Sequence, residues 1–140
     1  VSGLKKDINL LSDDLNNKKI KNLKLNVSAP FHCKYMKIAS EKMTSYINDL
    51  NMNELEKPII SNVTAKETRS SKEIKSLLIS QIEKKVRWLE SVEYMINNGV
   101  KNFVEIGPGK VLSGLIKRIN KNVNVNSVNS EEDIKLLIND

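Results

Sequence analysis

Residues 99–119 read GVKNFVEIGPGKVLSGLIKRI, and their order decides the fold class. Val100 to Ile106, with Val100, Phe103, Val104 and Ile106 apolar, predicts a buried strand. Gly107-Pro108-Gly109 predicts a tight turn, and Lys110 to Ile119 a helix launched from it. Gly99, just before, is placed to close a preceding helix as its C-cap. Strand, glycine turn and helix are the parts of a βα unit.

Working outward, the same alternation recurs. On the C-terminal side, Asn122 to Val128 spaces Val123, Val125 and Val128 as a last strand, and Ser130 with Asp133 forms an S-x-x-D start for a terminal helix. On the N-terminal side, two amphipathic helices are predicted over Ser71–Glu83 and Val86–Asn98, preceded by a short β-rich run, Lys57 to Val63. Between Lys34 and Leu50, Tyr35, Met36, Ala39, Met43, Tyr46, Ile47 and Leu50 share one helical face. Leu4 to Leu15 predicts a helix, and Lys21 to Ser28, with Leu23, Leu25 and Val27 alternating against polar residues, a strand. Strands separated by helices imply an α/β architecture with mostly parallel pairing.

Composition narrows the function classes. The chain has 140 residues, one Cys and one His, too few for a structural zinc site or an internal disulfide. No metal is expected, and a reducing, cytoplasmic setting fits. No apolar run approaches the ~18 residues of a membrane span, so no membrane partner is expected. Net charge is +6, with 23 basic side chains set against 17 acidic ones, and the two signs are interleaved. Lys110, Lys117, Arg118 and Lys121 are four positive charges with no acid between them. With two Phe, three Tyr and one Trp in the whole chain, there is little to stack on bases, and nucleic acid is not expected. Val1-Ser2-Gly3 is neither an initiator methionine nor a signal segment, and is read as a cut within a longer chain.

The one histidine, His32, lies in the turn between the predicted strand end and the helix that begins near Lys34, where ligands collect in α/β folds. Its neighbour Cys33 cannot face it as a working pair, because adjacent residues do not share a helical face. Four blocks in order, NVSAPFHCKYM, PIISNVTA, Gln81 with VRWLESVEYM shortly after, and GVKNFVEIGPGKVLSGLIKRI, resemble the C-terminal half of the malonyl-CoA:acyl carrier protein transacylases. The likeness runs from about Val1 to Ile119. One departure is Lys84-Lys85, where members commonly show a small or polar residue and then proline.

The resemblance implies part of an α/β-hydrolase-like acyltransferase domain over residues 29–140, with residues 1–28 the remainder of a small ferredoxin-like α+β subdomain. It implies ping-pong transfer of malonyl from malonyl-CoA to the phosphopantetheine thiol of acyl carrier protein, in type II fatty acid synthesis, with no cofactor bound by this chain. His32 matches the catalytic histidine and Gln81 the residue whose backbone carbonyl orients it. By itself Gln81 reads as an ordinary polar helix residue. Phe31 matches the malonyl-selecting type, though it reads equally as a core aromatic. Asn62 and Arg87 lie in matching blocks and read as structural. The basic run Lys110, Lys117, Arg118 and Lys121 is a candidate docking patch for the carrier, against the plainer reading of a solvated helix end. No G-x-S-x-G nucleophile elbow occurs in the chain, so the nucleophilic serine is expected outside it and the chain alone is expected to be inert. Two other readings stay open: an acyltransferase fragment of a polyketide-type synthase, and a basic binding module without catalysis.

Overall fold

The computed structural model describes residues 1–139, and contacts divide the chain into two units, one running through Arg87 and the other starting at Trp88. The first opens with α1 (Lys5–Asn17). That helix ends where Lys19 takes a left-handed φ of 55°, so that the Lys19 N–H reaches the Asn16 carbonyl and the Ile20 N–H the Leu15 carbonyl, closing a Schellman turn. The following residues do not form the strand predicted over 21–28. They are pinned to α1 by side chains: the Ser12 hydroxyl donates to Asn22 Oδ1 at 2.7 Å and the Lys24 ammonium to Asn9 Oδ1 at 3.0 Å. Alternation predicts two faces, but a ladder also needs a neighbour's N–H and C=O groups. None is offered within this unit, and Leu23 is left 84% exposed.

After the turn at His32, a 3₁₀ segment (Lys34–Met36) runs into α2 (Lys37–Asp49), which packs against α3 (Ser71–Glu83). Ile47 and Ile74 are the buried apolar residues of the two helices. The Lys75 ammonium donates to the Asn48 carbonyl at 2.8 Å, tying α3 to the end of α2. The start of α3 is capped by Ser70, whose Oγ accepts the Glu73 N–H at 3.3 Å. Between the helices, β1 (Ile59–Ile60) and β2 (Glu67–Thr68) form a short antiparallel hairpin. Its loop is closed by the Ser61 N–H on the Lys66 carbonyl and the Ala65 N–H on the Ser61 carbonyl.

The second unit realises the βα grammar. Its first helix, α4 (Trp88–Asn97), ends at Gly99, where φ is +90°. The Gly99 N–H bonds to the Ile96 carbonyl and the Val100 N–H to the Met95 carbonyl, both at 3.0 Å, a Schellman cap that favours glycine. Then come β3 (Asn102–Ile106), α5 (Val111–Ile119), β4 (Asn124–Val128) and α6 (Glu131–Asn139). β3 and β4 pair in parallel, from Asn102 opposite Asn124 to Ile106 opposite Val128, with α5 as the crossover. Val92, fully buried, packs with Phe103, Ile116 and Val123 to form the core. Burying each such side chain stabilises by about 1.5–3 kcal/mol.

The expectation that 100–106 is buried throughout is corrected. Phe103 is buried, but Val104 is 44% and Ile106 82% exposed, although Val128, opposite Ile106 in the ladder, is buried; cover over that face reaches β4 and not Ile106. The fold is α/β, with a parallel pair in the second unit and an antiparallel hairpin in the first.

Candidate active site

Pro30 ends the extended segment, and the chain then reverses tightly. The Phe31 N–H bonds back to the Ala29 carbonyl at 2.9 Å, and His32 follows with a left-handed φ of 60°. A non-glycine residue there is disfavoured by roughly 1–2 kcal/mol, a strain that clusters at functional positions. The turn presents the imidazole to α3, where Nδ1 lies 2.8 Å from the Gln81 carbonyl oxygen, 49 positions away in sequence.

That carbonyl is available because of where α3 ends. The last helical bond runs from the Lys84 N–H to the Ser80 carbonyl, and Lys84 is extended, with φ −95° and ψ 152°. Gln81 is thus the first residue whose carbonyl the helix leaves unused. A carbonyl can only accept, so Nδ1 carries the hydrogen and Nε2 keeps its lone pair. Gln81 Nε2 is 3.5 Å from the same Nδ1. As a donor facing a protonated nitrogen, it does not compete with the shorter bond. His32 is exposed, so Nε2 is open to a proton delivered from outside. The Cys33 thiol donates to the Pro30 carbonyl at 3.0 Å, committed to the turn rather than to the imidazole. Phe31 is exposed beside His32.

The four basic residues are not gathered into one patch. Lys110 stands at the start of α5, near Asp133. Lys117, Arg118 and Lys121 lie at its other end, about 10 Å away at 1.5 Å per residue. The Lys117 ammonium donates to the Val123 carbonyl at 2.5 Å, which leaves Arg118 and Lys121 as the outward cations of that end.

Two carboxylates carry structure here, of which the sequence announces only one. Glu105 accepts the N–H groups of Leu112 at 3.0 Å and Ser113 at 2.7 Å. The Ser113 side chain, then its backbone N–H, hold the Glu105 carboxyl below the usual carboxylate range. Glu105 therefore occupies the N-terminus of α5, where a bound anion would otherwise sit. The turn's own donors are also engaged, Gly107 N–H on the Val128 carbonyl and Gly109 N–H on Asn129 Oδ1, so it is not a phosphate cradle. Asp133 accepts from the Asn129 N–H at 2.8 Å and the Ser130 N–H at 3.1 Å, while Ser130 Oγ accepts the Asp133 N–H. Those bonds, the Asn129 one foremost, lower its carboxyl, and Lys110 adds to the effect. The S-x-x-D pattern announces Asp133. Nothing in the sequence announces Glu105, whose reach depends on the shape of the glycine turn.

Among the described residues, no three His, Cys, Asp or Glu side chains gather as a metal site would need, and no helix is long and apolar enough to cross a membrane. No protein-family model matches the chain. Among curated proteins, it is 43% identical to the malonyl CoA-acyl carrier protein transacylase of Staphylococcus aureus over 111 residues, covering 79% of this chain and 36% of that protein. It is 39% identical to the enzyme of the same name from Bacillus subtilis over 139 residues, covering 99% of this chain and 44% of that one. Among solved structures, a malonyl-transacylase in complex with a type II PKS acyl carrier protein superposes with a TM-score of 0.90 at 34% identity, over 99% of this chain and 45% of that one. The chain spans less than half the length of these relatives.

Proposed function

Because the chain is a relative of malonyl CoA-acyl carrier protein transacylases over part of their length, we propose that it supplies the general base of such an enzyme. The single observation that carries this reading is the 2.8 Å bond between His32 Nδ1 and the Gln81 carbonyl, which leaves Nε2 as a basic lone pair. A serine outside these residues donates its hydroxyl proton to Nε2 as its oxygen attacks the malonyl thioester. The coenzyme A thiolate leaves and takes that proton, giving a malonyl-serine ester. The phosphopantetheine thiol of acyl carrier protein then gives its own proton to Nε2, attacks the ester, and the serine oxygen recovers the proton. No metal or cofactor takes part, and a positioned base of this kind contributes about 10²–10⁴-fold in rate.

The same reading assigns residues 1–28 to the remainder of a small ferredoxin-like subdomain and 29–140 to the larger acyltransferase domain; Asp140, its last residue, lies outside the described residues. It assigns Phe31 to exclusion of branched acyl groups, and Arg118 with Lys121 to docking of an acidic carrier in the cytoplasm. The test is transfer of malonyl from malonyl-CoA to acyl carrier protein by the complete polypeptide that includes these residues, with and without His32→Ala. A loss of at least ~10²-fold with unchanged circular dichroism is expected. Near-unchanged turnover would refute the assignment of the base. Offering a polyketide-type carrier beside a fatty acid one decides between those two acceptors.

A further inference from the structure

The His32 bond depends on α3 stopping at Glu83, yet no residue type that commonly stops a helix follows it. Residues 84–87 are Lys-Lys-Val-Arg, with no Pro, Gly or Asn, and Lys and Arg are among the better helix formers. One more helical residue would direct the Lys85 N–H onto the Gln81 carbonyl, the i to i−4 bond of the helix. The imidazole would then have to share that acceptor or lose it.

What holds the chain out of the helix lies further on. The Arg87 backbone N–H bonds to the Asn62 carbonyl at 2.9 Å, and the Arg87 guanidinium donates to the Thr64 carbonyl at 3.0 Å. Both acceptors belong to the loop of the β1–β2 hairpin, which is itself closed by the Ser61 and Ala65 bonds. A side chain and its own backbone thus grip one loop from two directions. The chain leaves the helix at Lys84, whose dihedrals are extended, and 85–87 belong to no helix before α4 starts.

We infer that Arg87 is a positioning residue for His32: by fastening the chain after α3 to the 62–64 loop, it ends the helix where the Gln81 carbonyl stays free for the imidazole. The inference rests on the proposed function only for the importance of His32; the geometry it describes is independent of the reaction. The two Arg87 bonds described go to the loop and not to His32 or Gln81. Arg87 acts through the point at which a helix terminates.

The readout is the imidazole itself. His32 is the chain's one histidine, so ¹⁵N-histidine labelling gives a single ring whose long-range ¹H–¹⁵N pattern reports which nitrogen bears the hydrogen. In the parent the Nδ1–H form dominates. Arg87→Gln removes the guanidinium and keeps the backbone N–H. It should lower the ratio of Nδ1–H to Nε2–H forms by about two- to tenfold, the scale on which one net hydrogen bond moves an equilibrium, while the Lys85 amide gains protection from exchange. Adding Lys85→Pro to Arg87→Gln should restore the parent pattern. Proline has no N–H to offer Gln81, and it requires an extended residue before it, as Lys84 already is.

An unchanged tautomer ratio in Arg87→Gln overturns the inference. So does a shifted ratio that Lys85→Pro does not restore, since Arg87 would then act otherwise than by stopping the helix. Should Arg87→Gln lose its helical circular dichroism, Arg87→Met, which also removes the donor to Thr64 but keeps a long side-chain stem, is read by the same criteria. Retained malonyl transfer in His32→Ala would refute the base and leave this inference standing, because the two are measured on different observables.

Discussion

Replacing Gln81 with alanine separates the two things that residue offers His32. The backbone carbonyl, 2.8 Å from Nδ1, survives the substitution. The amide, at 3.5 Å, does not. Since Nδ1 already bears the hydrogen given to the carbonyl, the amide N–H finds no lone pair there, and its removal should cost well under the ~1 kcal/mol of an ordinary net hydrogen bond. Alanine is also a slightly better helix former than glutamine, by a few tenths of a kcal/mol at most, so α3 should keep its length and its stop at Glu83. Malonyl transfer by the complete polypeptide should therefore fall by less than about threefold in Gln81→Ala, against at least ~10²-fold in His32→Ala. The assay is coenzyme A release from malonyl-CoA with saturating carrier, with circular dichroism confirming the fold. A Gln81→Ala loss as deep as that of His32→Ala, with the fold intact, would mean that the amide acts in catalysis and that the carbonyl-oriented tautomer is the wrong account.

Reversing Arg118 and Lys121 to glutamate should slow the carrier-dependent half-reaction in a salt-sensitive way and leave serine acylation by malonyl-CoA nearly unchanged; equal losses in both halves would point to coenzyme A phosphates or to misfolding. Lys117 is left alone because it holds the Val123 carbonyl. Phe31→Ser should raise the use of methylmalonyl-CoA relative to malonyl-CoA, and an unchanged ratio in competition assays would return Phe31 to a packing role. Glu105 and Asp133 both titrate below their ordinary values, so the stability they add is present above the unfolded pKa of each and is lost as pH falls through the lower folded one. The urea midpoint should thus decline below about pH 4.5 and do so less steeply in Glu105→Gln; parallel curves would refute the capping role. Gly99→Ala meets no atom within 4 Å but sits at φ +90°, so its cost of roughly 1–2 kcal/mol should be backbone strain alone, and a neutral denaturation midpoint would contradict that.

What the sequence by itself determined is what short-range chemistry controls. The β3–turn–α5 unit follows from a strand-length segment carrying Phe103, Val104 and Ile106, a turn with two glycines, and a helix-length segment after it. The end of α4 follows from Gly99, whose lack of a Cβ suits the left-handed cap. The start of α6 follows from Ser130 and Asp133, three apart and therefore within mutual reach. His32 drew attention as the one imidazole in a turn between an extended segment and a helix, and the order of blocks around it named a family that the similarity to known transacylases supports.

Tertiary structure decided whatever depends on partners distant in sequence. Residues 21–28 alternate as a strand does, yet form none, because a ladder is a property of two segments and no second one meets them within their unit. Ile106 reads as core and is exposed while Val128 opposite it is buried, since burial depends on which elements pack over each position and periodicity cannot count layers. Lys110 shares an acid-free stretch with Lys117, Arg118 and Lys121 but stands at the opposite end of α5 from them. The acceptor of the His32 bond could be read from the sequence only through a resemblance, because a backbone carbonyl carries no side-chain signature. Its freedom to accept is decided by where α3 stops, and that stop is set by bonds from Arg87 to a loop more than twenty residues earlier in the chain, beyond the reach of any local propensity.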